Sequence, residues 1–259
     1  MGFAFLDRYD VGACARLCNT RSPDPVGGAC IYFNIWRALV NGVPTTYTCS
    51  MVSGRKVLSS RVAVSLLIQY YLPTDASTAV NHQQGDLNVT LSRGYRRQSF
   101  VVDGGFEGYD GCLRFCYTES YLNWIGTSPA NGTLDATIFV YHEYAHFGQG
   151  VGLLGSAVGL DDLAGTLTPR HSLYTTAGHT YQIAFFHSST FSGPELETDA
   201  FVAVLWNGEV VGRVRNGYQP WTFYSFFVTA VGSDVLAFHG GKAPAWSFID
   251  DVFLFKVDV

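Results

Sequence analysis

Two short segments far apart in the chain constrain its fold more than any other feature: Val102-Asp-Gly-Gly-Phe-Glu107 and Trp246-Ser-Phe-Ile-Asp-Asp-Val252. Between them run short apolar stretches of β character without a convincing helical period. A carboxylate at the start of a β-unit and another just before its last strand meet only if the first and last strands are neighbours. A β-sandwich closes in this way. Closure sets two acids side by side, and they need a cation or a hydrogen-bond network to stay there.

The intervening sequence agrees. From Phe100 onward, β-like runs recur at 136–141, 150–154, 163–167, 180–186, 201–206, 209–214, 222–229, 235–239 and 247–257, separated by turn residues. Asn207-Gly208 between two alternating runs marks a hairpin. A composition of 15% aromatic, 14% charged and 28 Gly in 259 residues suits short strands with many turns. The fold class is therefore mainly β, a sandwich preceded by a smaller α+β unit, with the boundary near residue 98 (units 1–98 and 99–259).

The N-terminal unit is defined by its cysteines. Cys14, Cys18, Cys30 and Cys49 crowd its start, and Cys112 and Cys116 open the β-region. An even count among Gly and Pro points to disulfides and an oxidising compartment. Zinc is disfavoured because C-x3-C followed by lone cysteines lacks paired knuckles. Asp10 caps a short helix that carries Cys14 and Cys18 on one face, and Cys30–Trp36 and Tyr47–Met51 read as strands around an Asn41-Gly42 hairpin. Four cysteines allow three pairings, and the sequence does not choose among them. Cys112 and Cys116 are spaced for a local bridge or remain thiols. The sequons at Asn88 and Asn131 fit a secreted glycoprotein. Met1–Leu6 meets Asp7 and Arg8 at once, without room for a leader's apolar core, so the expectation is a truncated N-terminus.

Residues 52–69 differ from both flanks. They read as a basic insert, too short and too charged to span a bilayer, or as a retained intron. Val52-Ser53 is codable as a splice donor and Gln69 as an acceptor, and excision joins Met51 to Tyr70 as a continued strand. Arg93, Arg96 and Arg97 form a small basic cluster, read as a linker. A net charge of −5 without any long basic run argues against nucleic acid.

Three constellations carry chemistry. His142-Glu143-Tyr-Ala-His146 matches the H-E-x-x-H zinc-protease motif, which needs both histidines on one helix face. Here a β-run precedes it, and Gly148, Gly150 and Gly152 follow. Gln149 and Gly152 stand where the extended motif has glycine and histidine, and Glu195 or Glu197 would have to supply a third ligand from a loop. On a strand the two histidines stand about 13 Å apart. The expectation is a strand end and loop, without catalysis. Glu107 and Asp250, with the Gly105 carbonyl, form a candidate site for structural Ca²⁺. Phe248, Asp250, Val252 and Leu254 are read as sharing one strand face. Finally, Trp124, Tyr144, Tyr218 and Trp221 lie near loops or polar neighbours, where flat rings grip sugar faces. Trp206 is assigned to the core.

Residues 99–259 resemble the galactose-binding-like jelly roll of CenC-type carbohydrate-binding modules. The resemblance rests on Asp103-Gly-Gly-Phe-Glu107, the following Trp124, the Gly-rich run 148–153 and Ser247-Phe-Ile-Asp-Asp-Val252. It implies non-catalytic binding of a polysaccharide or glycoprotein glycan and a calcium near Glu107 and Asp250. Residues 9–51 are similar to PAN/apple-like units, through Cys14-x3-Cys18, Cys30 before an aromatic strand and Cys49. Together they resemble secreted fungal proteins that join two such units. Mature transcripts that consistently include the codons for 52–69 would eliminate the intron reading; its expected outcome is reads lacking them.

Overall fold

The computed structural model describes residues 2–53, 71–74, 83–84, 87–112, 114–191, 193–194, 201–214, 217–242 and 245–257, with backbone only for those between 71 and 92. The chain forms two compact units, Met1–Gln98 and Ser99–Val257.

The N-terminal unit contains β1 (Gly2–Leu6), α1 (Val11–Thr20), β2 (Cys30–Val40), β3 (Val43–Ser53), β4 (Tyr71–Thr74), β5 (Gln83–Gln84) and β6 (Leu87–Arg97). They make an antiparallel sheet in the order β1-β3-β2-β6-β4, with β5 also on β6. Asp10 starts α1 by accepting the Ala13 N–H at 2.8 Å, a cap worth about 1 kcal/mol. Cys14 and Cys18, one turn apart on the buried face, are joined to Cys49 of β3 and Cys30 of β2. Phe33, Ile35, Met51 and Tyr95 complete this small core, which the two bridges supplement. At the β2–β3 turn Asn41 and Gly42 both have positive φ, 51° and 73°, the geometry that favours Asn-Gly in two-residue hairpins.

Gly2–Leu6 is an edge strand paired with β3. Two readings of this region need correction. Residues 93–97 are not a linker: β6 runs between β2 and β4, Tyr95 stacks on Phe33 at 5.1 Å and Arg97 is buried. Nor do β3 and β4 form one continued strand. β2 and β6 lie between them, a crossing of about 14 Å that a direct Met51–Tyr70 junction is too short to make. Residues 54–70 themselves lie outside the described residues.

The C-terminal unit contains β7 (Cys116–Thr118), β8 (Trp124–Thr127), β9 (Ala136–Val140), β10 (Gly150–Leu154), β11 (Gly165–Pro169), β12 (Leu173–Tyr174), β13 (Thr180–Ser188), β14 (Val202–Trp206), β15 (Glu209–Val214), β16 (Thr222–Thr229), β17 (Ser233–Asp234), β18 (Leu236–Gly240) and β19 (Ser247–Lys256). Two antiparallel sheets, β16-β13-β19-β10-β9-β7 and β15-β14-β18-β11-β8, enclose the core, and β12 pairs with β17. Apart from the β9–β10 and β14–β15 hairpins, successive strands of these two sheets alternate between them in jelly-roll fashion. Ile138, Leu154, Ile183, Phe185, Val252 and Leu254 of the first sheet meet Trp124, Leu167, Val204, Trp206 and Phe238 of the second. The short strands β7, β8, β12 and β17 were not legible as periodic runs.

β19 breaks its own alternation. Phe186 pairs with Asp250 and Ala184 with Phe253, so two residues of β19 oppose one of β13, and Asp251 has φ 49°. This bulge corrects the sequence reading of one shared face. Val252 and Leu254 point into the core, whereas Phe248 belongs to an aromatic cluster on the opposite side of the sheet.

At the inner end of β13, His187 is buried, with Nε2 3.3 Å from Ser247 Oγ. Burial lowers its pKa from 6.5 to about 4. Its neutral form is therefore the native one. As pH falls from about 6.5 to about 4, the unfolded chain takes up a proton that the folded chain refuses, so stability is lost across that window. His187→Gln should flatten this part of a pH series of urea denaturations, removing on the order of 3 kcal/mol of pH dependence; an unchanged slope would refute the assignment.

Candidate functional site: a carboxylate tie and an aromatic face

The loop entering the sandwich is organised by Asp103, which has φ 54°. Its Oδ1 accepts the Glu107 N–H at 2.9 Å. Its Oδ2 accepts from Gly108 N at 2.8 Å, from the Tyr121 hydroxyl at 2.6 Å and from Asn123 Nδ2 at 3.2 Å. Burial, and then the bond to Asp103, push the Tyr121 hydroxyl well above its ordinary pKa, keeping it a donor. The Asp103 carbonyl accepts from Trp124 Nε1 at 2.9 Å. Trp124 is fully buried, 4.7 Å from the Phe106 ring. That corrects its reading as a ligand contact: the indole closes the core, and its polar edge is used within the fold.

The loop is stitched to the last strand. Val252 N–H donates to the Gly104 carbonyl at 2.9 Å, and a Cβ on Gly104 would collide with the Val252 backbone. Glu107 Oε1 accepts from Gln149 N at 2.8 Å and Gly150 N at 2.9 Å. Asp250 Oδ2 accepts from His146 N at 2.8 Å and Phe147 N at 3.1 Å, and its Oδ1 from Asp251 N at 2.6 Å. Asp250 is fully buried. Burial first, then the neighbouring Asp251, raise its pKa well above the carboxylate range, against the pull of those three N–H groups.

Glu107, Asp250 and Gly105 do come together. A Cβ built on Gly105 would stand 3.8 Å from Asp250 Oδ1, Asp251 Oδ1 and Glu107 Cγ. The Asp250 and Asp251 carboxylate oxygens here are the ligand type that a hard cation takes, and among the described residues the buried Asp250 carboxylate has no cationic side chain on its own oxygens. Among the described residues no three His, Cys, Asp or Glu side chains form a metal-ligand group, so a cation here needs backbone carbonyls as well.

The H-E-x-x-H segment is a turn, held by Tyr144 N–H to Tyr141 O and Ala145 N–H to His142 O. The histidines have separate partners. His142 Nδ1 lies 3.0 Å from the Gly148 carbonyl. His146 is stacked on Phe186 at 3.9 Å with Nδ1 2.7 Å from Asp251 Oδ2. Glu195 and Glu197 lie outside the described residues. The segment therefore delivers backbone N–H groups to Asp250, a role the motif did not suggest.

Opposite the core, the six-stranded sheet carries a second apolar layer. Phe139, Val151, Leu153 and Phe248 form its floor, with Tyr144, Phe191, Trp221 and Trp246 packed upon them. Rings continue outward from it. Tyr144 lies 4.9 Å from Tyr141, Tyr141 lies 5.4 Å from Phe115, and Tyr117 stacks on Phe139 at 5.1 Å. Phe115 is 52% exposed and Tyr117 37%. Phe115 is held in the five-residue loop that the Cys112–Cys116 bridge closes. Tyr144 and Trp221 thus share one cluster, and Tyr218, 46% exposed, lies three residues before Trp221. Sequence reasoning weighed Trp124, Tyr144, Tyr218 and Trp221 and passed over Phe115 and Tyr117. The signal available was their i, i+2 spacing beside a short cystine loop.

No known family model matches the chain, and no curated protein matches it in sequence. Solved structures that align with it include carbohydrate-binding modules. One, of family 61, in complex with β-1,4-galactotriose, is 17% identical with a TM-score of 0.40, covering 61% of this chain and 99% of that one. A family 16 module is 17% identical with a TM-score of 0.37, covering 60% and 98%. A family 22 xylan-binding domain is 11% identical with a TM-score of 0.40, covering 62% and 97%.

The two glycines of the entering loop should behave differently. Gly104→Ala forces a backbone collision and should lower stability in urea by roughly 1–3 kcal/mol. Gly105→Ala meets only van der Waals contact and should cost less than about 1 kcal/mol. Equal effects would contradict the stitched geometry.

Proposed function

We propose that residues 99–259 are a non-catalytic carbohydrate-binding module of the CenC type, holding a polysaccharide or glycoprotein glycan. The observation that supports this most is the run of partly exposed rings, Phe115, Tyr117, Tyr141 and Tyr144, continuous with Trp221 on one side of a stiff sheet. Such rings stack on pyranose C–H faces, while the tyrosine hydroxyls take hydrogen bonds from the sugar. A rigid platform loses little entropy on binding. The segment 142–146 is a turn and does not set its two histidines on one helix face as the zinc-protease motif requires, so zinc chemistry does not enter the proposal.

In this reading Glu107 and Asp250, with the Gly105 carbonyl, hold a structural Ca²⁺ whose charge offsets the buried Asp250 carboxylate. The N-terminal unit is PAN/apple-like, its helix cross-linked to two strands. The three disulfides, and Asn131 exposed in a turn, support a secreted glycoprotein. Asn88 lies on β6, and its side chain is outside the described residues. No described helix is long and apolar enough to cross a membrane, and neither membrane insertion nor nucleic acid enters the proposal.

A structural or adhesion role is the second reading. Tyr144 and Phe191 lie 4.8 Å apart over Phe248, so part of the aromatic layer is already consumed by packing. Pull-downs on insoluble polysaccharides together with a glycan array separate the two. Binding that Phe115→Ala or Tyr117→Ala weakens at least about tenfold, with unchanged melting temperature, is the expected result; retention of no glycan would favour the adhesion role. Chelation should lower the melting temperature and Ca²⁺ restore it, and Glu107→Gln should blunt this response.

A further inference from the structure

A second pair of acids lies apart from the Glu107 tie, between the loop 128–135 that joins β8 to β9 and the loop 155–164 that joins β10 to β11. The loops are laced together. Asp161 Oδ2 accepts the Thr133 N–H at 2.9 Å and its Oδ1 the Leu163 N–H at 3.1 Å. Ser156 Oγ donates to the Thr133 carbonyl, and Ala157 N–H to the Leu134 carbonyl, each at 2.9 Å. Within this lacing Asp135 is anomalous. It is fully buried, yet neither of its carboxylate oxygens accepts a hydrogen bond of good geometry. Its own N–H is satisfied by Ser128 Oγ at 2.9 Å, so the backbone is anchored, whereas the carboxylate is approached by Ser128, the Thr133 N–H and Asp161 without a well-formed hydrogen bond from any of them. A Cβ on Gly132 would collide with Asp135 Oδ2, so that side is closed by backbone. The Asp161 carboxylate stands within hydrogen-bond reach of it on the other side and is itself half-buried, open toward solvent.

A carboxylate is retained in such a place only when something offsets its charge. Among the described residues no Lys, Arg or His pairs with it, and the charged group beside it, Asp161, is another acid. We propose that Asp135 and Asp161 bind a divalent, oxygen-preferring cation, Ca²⁺, that clamps the two loops together. Two carboxylates side by side, one buried and one half-buried, offer the oxygen ligands that a hard ion prefers. Since no third acidic side chain among the described residues joins them, backbone carbonyls and water complete the coordination. The cation neutralises the acid pair and makes the 128–135 and 155–164 loops one unit. This site is independent of glycan binding and of the Glu107–Asp250 site.

Calorimetric Ca²⁺ titration of the whole protein at neutral pH, after chelator treatment, tests it. One equivalent of Ca²⁺ should disappear in Asp161→Asn and remain in Glu107→Gln, which loses a different equivalent if the first calcium reading holds. If wild type binds a single equivalent that Asp161→Asn abolishes and Glu107→Gln spares, the present inference stands and the earlier one fails. In the Glu107→Gln background Ca²⁺ should still raise the melting temperature, and adding Asp161→Asn should abolish the rise. Unchanged stoichiometry in Asp161→Asn would overturn the proposal and leave the pair as acids sharing a proton. Asp135→Asn, if it folds, should match Asp161→Asn.

Discussion

Backbone N–H groups in the turn before β10 need acceptors, and the fold supplies them from the two ends of the C-terminal unit. Glu107 takes those of Gln149 and Gly150, and Asp250 takes those of His146 and Phe147. An unpaired buried N–H costs roughly 1–3 kcal/mol, so the part-buried bonds from His146, Phe147 and Gly150 matter more than the exposed one from Gln149. The carboxylates thus lock the entering loop, the 142–150 turn and β19 into one assembly.

That assembly positions the aromatic face. Tyr144 lies on the turn whose N–H groups Asp250 holds, and Trp221 lies 5.3 Å from the ring of His146. The bulge at Asp250–Asp251 lets one strand serve two purposes. It sends Val252 and Leu254 inward while Phe248 and Asp250 face the other way. Without the extra residue a strict alternation would place the carboxylate among core side chains.

Much of this was legible in the chain. Asp10, Cys14 and Cys18 announced a capped, cross-linked helix, and the separation of Glu107 and Asp250 announced that the two ends of the C-terminal unit meet. They meet through the entering loop, not through neighbouring strands: β7, the first strand, pairs with β9, while β19 lies between β13 and β10. What stayed hidden has physical reasons. The bulge at Asp251 is invisible to a period-2 reading, which assumes alternation throughout. Trp124 looked loop-like because β8 has only four residues, too few to show a pattern. Arg93–Arg97 read as a linker because charge was taken as a sign of solvent, although β6 has a neighbouring strand on each side. The Cys14–Cys49 and Cys18–Cys30 pairing depends on tertiary proximity, which spacing does not encode. The buried Asp135 gave no signal, since its loneliness appears only once the loops are folded around it.

Amide hydrogen exchange across the carboxylate tie tests the central claim most directly, comparing the wild-type protein with Glu107→Ala. If the tie organises the unit, the Gln149 and Gly150 amides exchange much faster in the variant. Those of Phe147 and Val252, which Glu107 does not touch, accelerate with them as one cooperative group. Acceleration confined to Gln149 and Gly150, with Phe147 and Val252 unchanged, would contradict it and reduce the tie to a local contact.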